Sequence, residues 1–214
     1  MLKNPYSGKL IAIEGLDGAG KSTQTGAVIS HFNATCAAQI CATFEPTEFL
    51  VGGLVRGRLL NEWSCTPECL QLLFAADRAD HLEKEILPLL ERGVNIICDR
   101  YFLSSAAYGS IDCEMDWLMQ INSTFLAPDL TIYLDISAPA CIKRMLDNGR
   151  SIELFEKEEI LEKVGENYKV AFEKLKGGMD IAYVDGNRPP ESITLDVVNL
   201  INEKIFNFRL PKVS

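Results

Sequence analysis

Apolar residues fall along this chain in short dense runs, separated by longer stretches in which they recur every three or four positions. Leu10-Ile-Ala-Ile13, Gln39 to Phe44, Val94-Asn-Ile-Ile-Cys98, Leu130-Thr-Ile-Tyr-Leu134 and, more weakly, Ile181-Ala-Tyr-Val184 are runs of the first kind. They are rich in branched and aromatic residues and end near Asp, Gly or Glu, which predicts buried strands of a parallel sheet. Helical periodicity follows Gly20. It reappears from Thr66-Pro67-Glu68, a cap with Pro in the first turn, and continues through Leu70, Leu73, Phe74, Asp77 and His81 towards Gly93. Further helices are expected over Asp112–Phe125, Ala138–Asp147, Lys157–Lys176 and Pro190–Phe208. The alternation predicts an α/β fold, a five-stranded parallel sheet with helices on both faces. No repeat, low-complexity tract or linker divides the pattern, so the expectation is one domain over residues 1–214. The charged stretch Asp147–Glu159, between two helices, is the expected lid.

Composition narrows this picture. With 214 residues, 21 Lys and Arg against 30 Asp and Glu, and a net charge of −9, the chain lacks the positive field that nucleic-acid polymers or anionic membranes require. Met1 to Gly8 is polar and carries no targeting signal, and Leu10–Ile13 is too short for a membrane span. Cys36, Cys41, Cys65, Cys69, Cys98, Cys113 and Cys141 are scattered and form no CxxC pair, and only His31 and His81 accompany them. That pattern gives no zinc constellation; it suits reduced thiols in a cytoplasmic protein.

The chemistry begins at Gly15-Leu-Asp-Gly-Ala-Gly20-Lys21-Ser22, which fits the phosphate-loop pattern at every fixed position and lies between a strand and a helix. Gly15, Gly18 and Gly20 open backbone conformations that turn successive N–H groups, including those around Asp17, Ala19 and Thr23, onto one anion. The helix starting near Lys21 adds its positive dipole end. Lys21 is placed to reach the β- and γ-phosphates of a nucleoside triphosphate and the Ser22 hydroxyl to ligate Mg²⁺. Asp99, closing the third strand, is the second candidate metal ligand.

Longer segments carry a resemblance. Ile13-Glu-Gly-Leu-Asp-Gly-Ala-Gly-Lys-Ser-Thr-Gln24, Leu72-Leu-Phe-Ala-Ala-Asp-Arg78, Asp99-Arg-Tyr101 with Ser104-Ser105-Ala-Ala-Tyr108, and Pro128-Asp-Leu-Thr-Ile-Tyr-Leu-Asp135 resemble, in order and spacing, the signatures of thymidylate kinases. The resemblance runs from about Lys9 to Ile205. It implies a P-loop NTPase three-layer sandwich, a homodimer, and transfer of the γ-phosphoryl of MgATP to dTMP in dTTP biosynthesis. It also implies roles. Phe74 stacks on thymine, and Arg78, at i+4 on the same helix face, donates to a base carbonyl. Arg100 holds the acceptor phosphate, Ser105 contacts the base, Tyr108 stands against the sugar and excludes a 2′-hydroxyl, and Asp17 contacts the acceptor's sugar or phosphate region. Arg150, in the expected lid, closes over the transferring phosphate, with Arg144 and Lys143 as further lid candidates. Lys21, Arg78, Arg100 and Arg150 are thus expected to converge on one cleft.

Two positions depart from the family pattern. Phe44 stands where many members have Arg, before Glu45-Pro46, so one acceptor-phosphate contact is missing unless Arg56 or Arg58 replaces it. Gly109 follows Tyr108 where many members carry Gln. Two other readings stay open: a kinase for another nucleotide or a deoxynucleoside, with Glu45 as candidate base, and a nucleotide-dependent switch without transfer.

Overall fold

The structure is a computed structural model that describes residues 1–35, 38–147, 149 and 157–207. Five strands, β1 (Leu10–Gly15), β2 (Ile40–Phe44), β3 (Asn95–Asp99), β4 (Leu130–Asp135) and β5 (Ile181–Asp185), form one sheet in the order β2-β3-β1-β4-β5. All neighbouring pairs are parallel. The most apolar run, β1, takes the centre and is buried along its whole length, as a strand covered on both faces must be.

Right-handed crossovers dictate where the helices go. From β1 the chain moves to the β2 edge through α1 (Lys21–Thr35), which puts α1 on one face. Every later crossover moves the opposite way across the sheet. Hence α2 (Leu50–Leu59), α3 (Pro67–His81), α4 (Leu87–Glu91), α5 (Phe102–Gly109), α6 (Met115–Asn122), α7 (Ala138–Asp147) and α8 (Glu158–Leu175) belong to the other face. The last helix, α9 (Pro190–Lys204), returns to pack against α1, while α5 packs against α8 and α3.

The expected strands are all present, and β1 and β4 each run slightly further, to Gly15 and Asp135. Thr66 caps α3 as its sequence implies, accepting from Cys69 N at 3.2 Å. The helix expected from there to Gly93 is not one continuous α-helix. A π-helical turn, Leu82–Ile86, separates α3 from α4, with Leu87 N bonding back to Leu82 O. Pro88 lacks the N–H that would bond the carbonyl four residues earlier, and the wider turn accommodates this. Two further helices, α2 and α5, lie between the segments expected from periodicity. In α2 Gly52 is needed, since a Cβ there would lie 2.1 Å from Thr47 O. In α5 the residues are apolar nearly all round, with Phe102, Leu103, Ala106 and Ala107 buried, so no amphipathic period marks it. The expected Asp112–Phe125 helix is the shorter α6, and that of Pro190–Phe208 ends at Lys204. Most of the expected lid, including Arg150, lies outside the described residues, and Glu158 and Glu159 begin α8. Among the described cysteines none forms a disulfide. No described helix is long and apolar enough to cross a membrane.

Candidate active site

The glycine-rich loop leaves the carboxyl end of the central strand and enters α1. Gly18 and Gly20 have φ of +83° and +94°, a region closed to most side-chain-bearing residues. Gly18 is also limited by space, because a Cβ would lie 2.6 Å from Cys141 O; around Gly20 there is room, so there the torsion alone selects glycine. Lys21 folds back over the loop and donates to Leu16 O at 2.7 Å and Gly15 O at 3.2 Å. Burial, reinforced by the Arg100 guanidinium, lowers its pKa to about 8, against the opposing pull of Asp17, Asp99 and Glu14.

Ser22, in the first turn of α1, donates to Asp99 Oδ2 at 2.5 Å. A hydroxyl from the start of α1 and a carboxylate from the end of β3 thus meet beside the loop, a set of hard oxygen donors of the kind Mg²⁺ takes together with water and phosphate oxygens. Both line a cleft of about 680 Å³ with Lys21, Arg100 and Arg144. Arg144 reaches the loop itself, donating to Ala19 O at 3.4 Å and to Gly186 O at 2.8 Å.

Arg100 joins this loop to the second half of the site. Its backbone is in the left-handed region, φ +71°, which costs on the order of 1 kcal/mol for a residue with a Cβ and persists only when held. The holding groups are visible. Its N–H bonds Ile13 O at 3.0 Å, and the Cys98 thiol donates to its carbonyl at 2.9 Å. Its guanidinium pairs with Asp17, donates to Ser104 Oγ at 3.0 Å and lies over the Tyr108 ring, 5.0 Å from its centre. The Tyr108 hydroxyl accepts from Asp17 N at 2.9 Å. Asp17, Arg100 and Tyr108 are therefore one cluster.

Beneath it sits Glu14, a site residue the sequence reading left without a role. Its buried carboxylate accepts from Tyr101 N at 2.9 Å, Ser104 N at 3.3 Å, Ser104 Oγ at 2.6 Å and Tyr168 OH at 3.0 Å. Tyr101 precedes α5 and Ser104 lies in its first turn, so Glu14 caps that helix from the end of β1. Burial raises its pKa, opposed first by the Ser104 hydrogen bond. The only sequence signal was an acid interrupting the apolar run before Gly15.

On α3, Phe74 is partly exposed. Arg78 is buried. It pairs with Glu45 at 2.6 Å, donates to Ser105 Oγ at 3.1 Å and to Asn122 Oδ1, and stacks over Tyr101 at 5.1 Å. It does not line the phosphate cleft, so among the described residues the cations brought together there are Lys21 and Arg100, with Arg144 beside them, while Arg150 lies outside the described residues. The other Glu45 oxygen faces His81 Nδ1 at 3.2 Å, and His81 Nε2 meets Thr43 Oγ1 at 2.7 Å. Cys98 completes a buried Glu45–His81–Cys98 group within 4.8 Å, assembled from residues too far apart in sequence to be read together. With both oxygens engaged and only 5% exposure, Glu45 is badly placed to act as a base.

The two departures resolve differently. Phe44 is half exposed at the end of β2 beside Asp99. Arg56 turns its guanidinium onto the carbonyls of Pro46 and Thr47, and Arg58 onto Asn61 at 3.2 Å, so both are used by their own loops. Above Gly109 there is no free space: the Gln71 carboxamide fills it.

A glycine-rich loop between a central parallel strand and a helix, with a hydroxyl–carboxylate pair at its rim, defines a P-loop nucleotide-binding protein. A sequence profile described as thymidylate kinase matches residues 13–196. Similar proteins include those named probable thymidylate kinase from Pyrococcus abyssi, 35% identical over 92% of this chain and 98% of that one. The like-named proteins of Thermococcus gammatolerans (36%, over 94% and 99%) and Methanococcus aeolicus (37%, over 92% and 97%) are similar too. The chain belongs to the thymidylate kinase family.

Proposed function

We propose that this protein transfers the γ-phosphoryl group of MgATP to dTMP, giving ADP and dTDP. The observation that carries the proposal is Arg100: one side chain touches both the phosphate loop, through Asp17 and Gly15 O, and the tyrosine assigned to the acceptor sugar, Tyr108.

The acceptor phosphate is already ionised at neutral pH, so its oxygen attacks without a strong base; a new P–O bond forms as the bond to the ADP oxygen breaks. The protein's work is alignment and charge neutralisation. The loop N–H groups from Gly15 to Thr23 cradle the ATP phosphates and Lys21 follows the charge onto the β–γ bridge. Ser22 and Asp99 would hold Mg²⁺, which screens the phosphate oxygens. Arg100 holds the acceptor phosphate, Asp17 and Tyr108 fix the sugar, and Phe74, Arg78 and Ser105 receive the base. Arg150 is the lid cation in this reading, with Arg144 already at the loop. A deoxynucleoside acceptor is less favoured, because Glu45 is consumed by Arg78 and His81.

The enzyme would act in the cytoplasm, as one kinase domain with a lid at about 147–159, and as a homodimer. Half-exposed Leu54 and Leu72, on the packed pair α2 and α3, support the last point. The test is ADP release from MgATP with dTMP, dUMP, dCMP, dGMP, ribothymidine monophosphate and thymidine, one at a time. Preference for any acceptor other than dTMP overturns the substrate assignment, and transfer to none would leave a nucleotide switch.

A further inference from the structure

Two buried polar atoms on α3 make no hydrogen bond among the described residues: Gln71 Oε1, an acceptor, and Arg78 Nε, a donor. Their residues are 4% and 1% exposed. Buried polar groups are rarely left so, and one without a protein partner is available to a water or a ligand. Gln71 lies three residues before Phe74 and Arg78 four after, so the three share one helix face with the ring in the middle. A base stacked on Phe74 has one polar residue about a turn away along the helix axis on either side, roughly 5 Å in each direction.

Helix α5 lies across this face. Ser105 and Gly109, four residues apart, face the same way. Arg78 Nη2 donates to Ser105 Oγ at 3.1 Å. One turn on, the Gln71 carboxamide lies directly over Gly109, where a Cβ would be 2.8 Å from its Cδ and 2.9 Å from its Oε1. Gly109 therefore leaves the room that the Gln71 carboxamide occupies where α3 packs on α5, next in sequence to Tyr108.

We propose that Gln71 reads the base: its Oε1 accepts the hydrogen on N3 of thymine while Arg78 donates to the adjacent C4 carbonyl. This rests on the dTMP reading of the same site. The imide edge of thymine or uracil offers that donor beside that acceptor. Cytosine offers neither, since its N3 carries no hydrogen and its C4 substituent is an amino group facing the Arg78 donor. Stacking on Phe74 is tolerant of base identity, so discrimination at this edge falls to these two residues, with Ser105 beside Arg78.

The experiment compares the wild type with Gln71→Leu, and with Gln71→Met as a second near-isosteric variant, on dTMP, dCMP and N3-methyl-dTMP at saturating MgATP. For the wild type, kcat/KM for N3-methyl-dTMP falls at least about tenfold below that for dTMP. In Gln71→Leu the KM for dTMP rises about tenfold, the size of one lost buried hydrogen bond. Its kcat and its KM for ATP stay within about twofold, and the N3-methyl discrimination disappears. The ligand-free variant melts at or above the wild-type temperature, because an unsatisfied buried acceptor has been removed; a merely structural glutamine would show the reverse. An unchanged KM for dTMP, or discrimination against N3-methyl-dTMP that survives the substitution, overturns the proposal. So does a wild type that uses N3-methyl-dTMP as well as dTMP, a result that needs no variant. Absence of wild-type turnover on dTMP would instead overturn the proposed function.

Discussion

Lys21→Met separates what the loop lysine does for ligands from what it costs the fold. The ammonium is buried against Arg100, and its pKa falls from 10.5 to about 8. That fall corresponds to about 3 kcal/mol of destabilisation in the ligand-free protein while the lysine is charged in both states. The sign follows from the proton count. Below pH 8 both folded and unfolded chains hold the proton and the cost is complete. Between pH 8 and 10.5 the folded chain has lost it and the unfolded chain has not, so the cost shrinks as pH rises. Met never carries the charge. The stability of Lys21→Met relative to wild type is thus greatest near pH 7 and smaller by about 2 kcal/mol at pH 9.5. The loss of the lysine's bonds to Gly15 O and Leu16 O shifts both values equally and leaves this difference intact. Urea unfolding of both proteins, without nucleotide, at pH 7 and pH 9.5 measures it, and the same variant should lose nearly all turnover. A stability difference independent of pH refutes the argument about Lys21, whatever happens to activity.

Glu45→Leu strips the buried Arg78 of its carboxylate and should cost about 3–5 kcal/mol in urea unfolding, since an uncompensated charge stays inside. In Gly18→Ala a methyl is forced to 2.6 Å from Cys141 O at φ +83°, so calorimetry should show ATP binding lost and the ligand-free protein less stable by about 1–3 kcal/mol. Glu14→Gln keeps the volume and one acceptor oxygen but weakens the cap of α5; kcat should fall further than the KM for dTMP rises, because Arg100 loses its support through Ser104. A Glu14→Gln enzyme with wild-type kcat would show that Arg100 is held without it.

What the sequence disclosed is what local spacing can encode. The phosphate loop is legible because one anion must be met by consecutive backbone groups, so all its demands fall within Gly15–Ser22. Phe74 and Arg78 share a helix face because four residues make about one turn, but their assignment to the site came from the family resemblance and not from that spacing. Glu14 was not legible, because its partners Tyr101, Ser104 and Tyr168 come from two other parts of the chain, and nothing near Glu14 announces them. Gly109 shows the same limit from the other side. In sequence it is a missing side chain; in the fold it is the space that another helix's glutamine occupies.

Charge carries the argument one step further. An overall charge of −9 is unfavourable for a polyanionic ligand, and a cluster of cations in one cleft was the expected remedy. The described cations of the site are not bare. Arg100 is paired with Asp17, Arg144 donates to the carbonyls of Ala19 and Gly186, and Lys21 is held by loop carbonyls with its pKa lowered to about 8; Arg78, outside the cleft, is paired with Glu45. Each positive group is already satisfied or restrained before any phosphate arrives. A phosphate bound by Arg100 therefore competes with Asp17 for the same guanidinium. A phosphate at Lys21 raises the lysine's pKa again, so near pH 8 nucleotide binding takes up a proton. The selectivity of such a site comes from groups that exchange one partner for another at fixed positions, and exchange needs no net positive field.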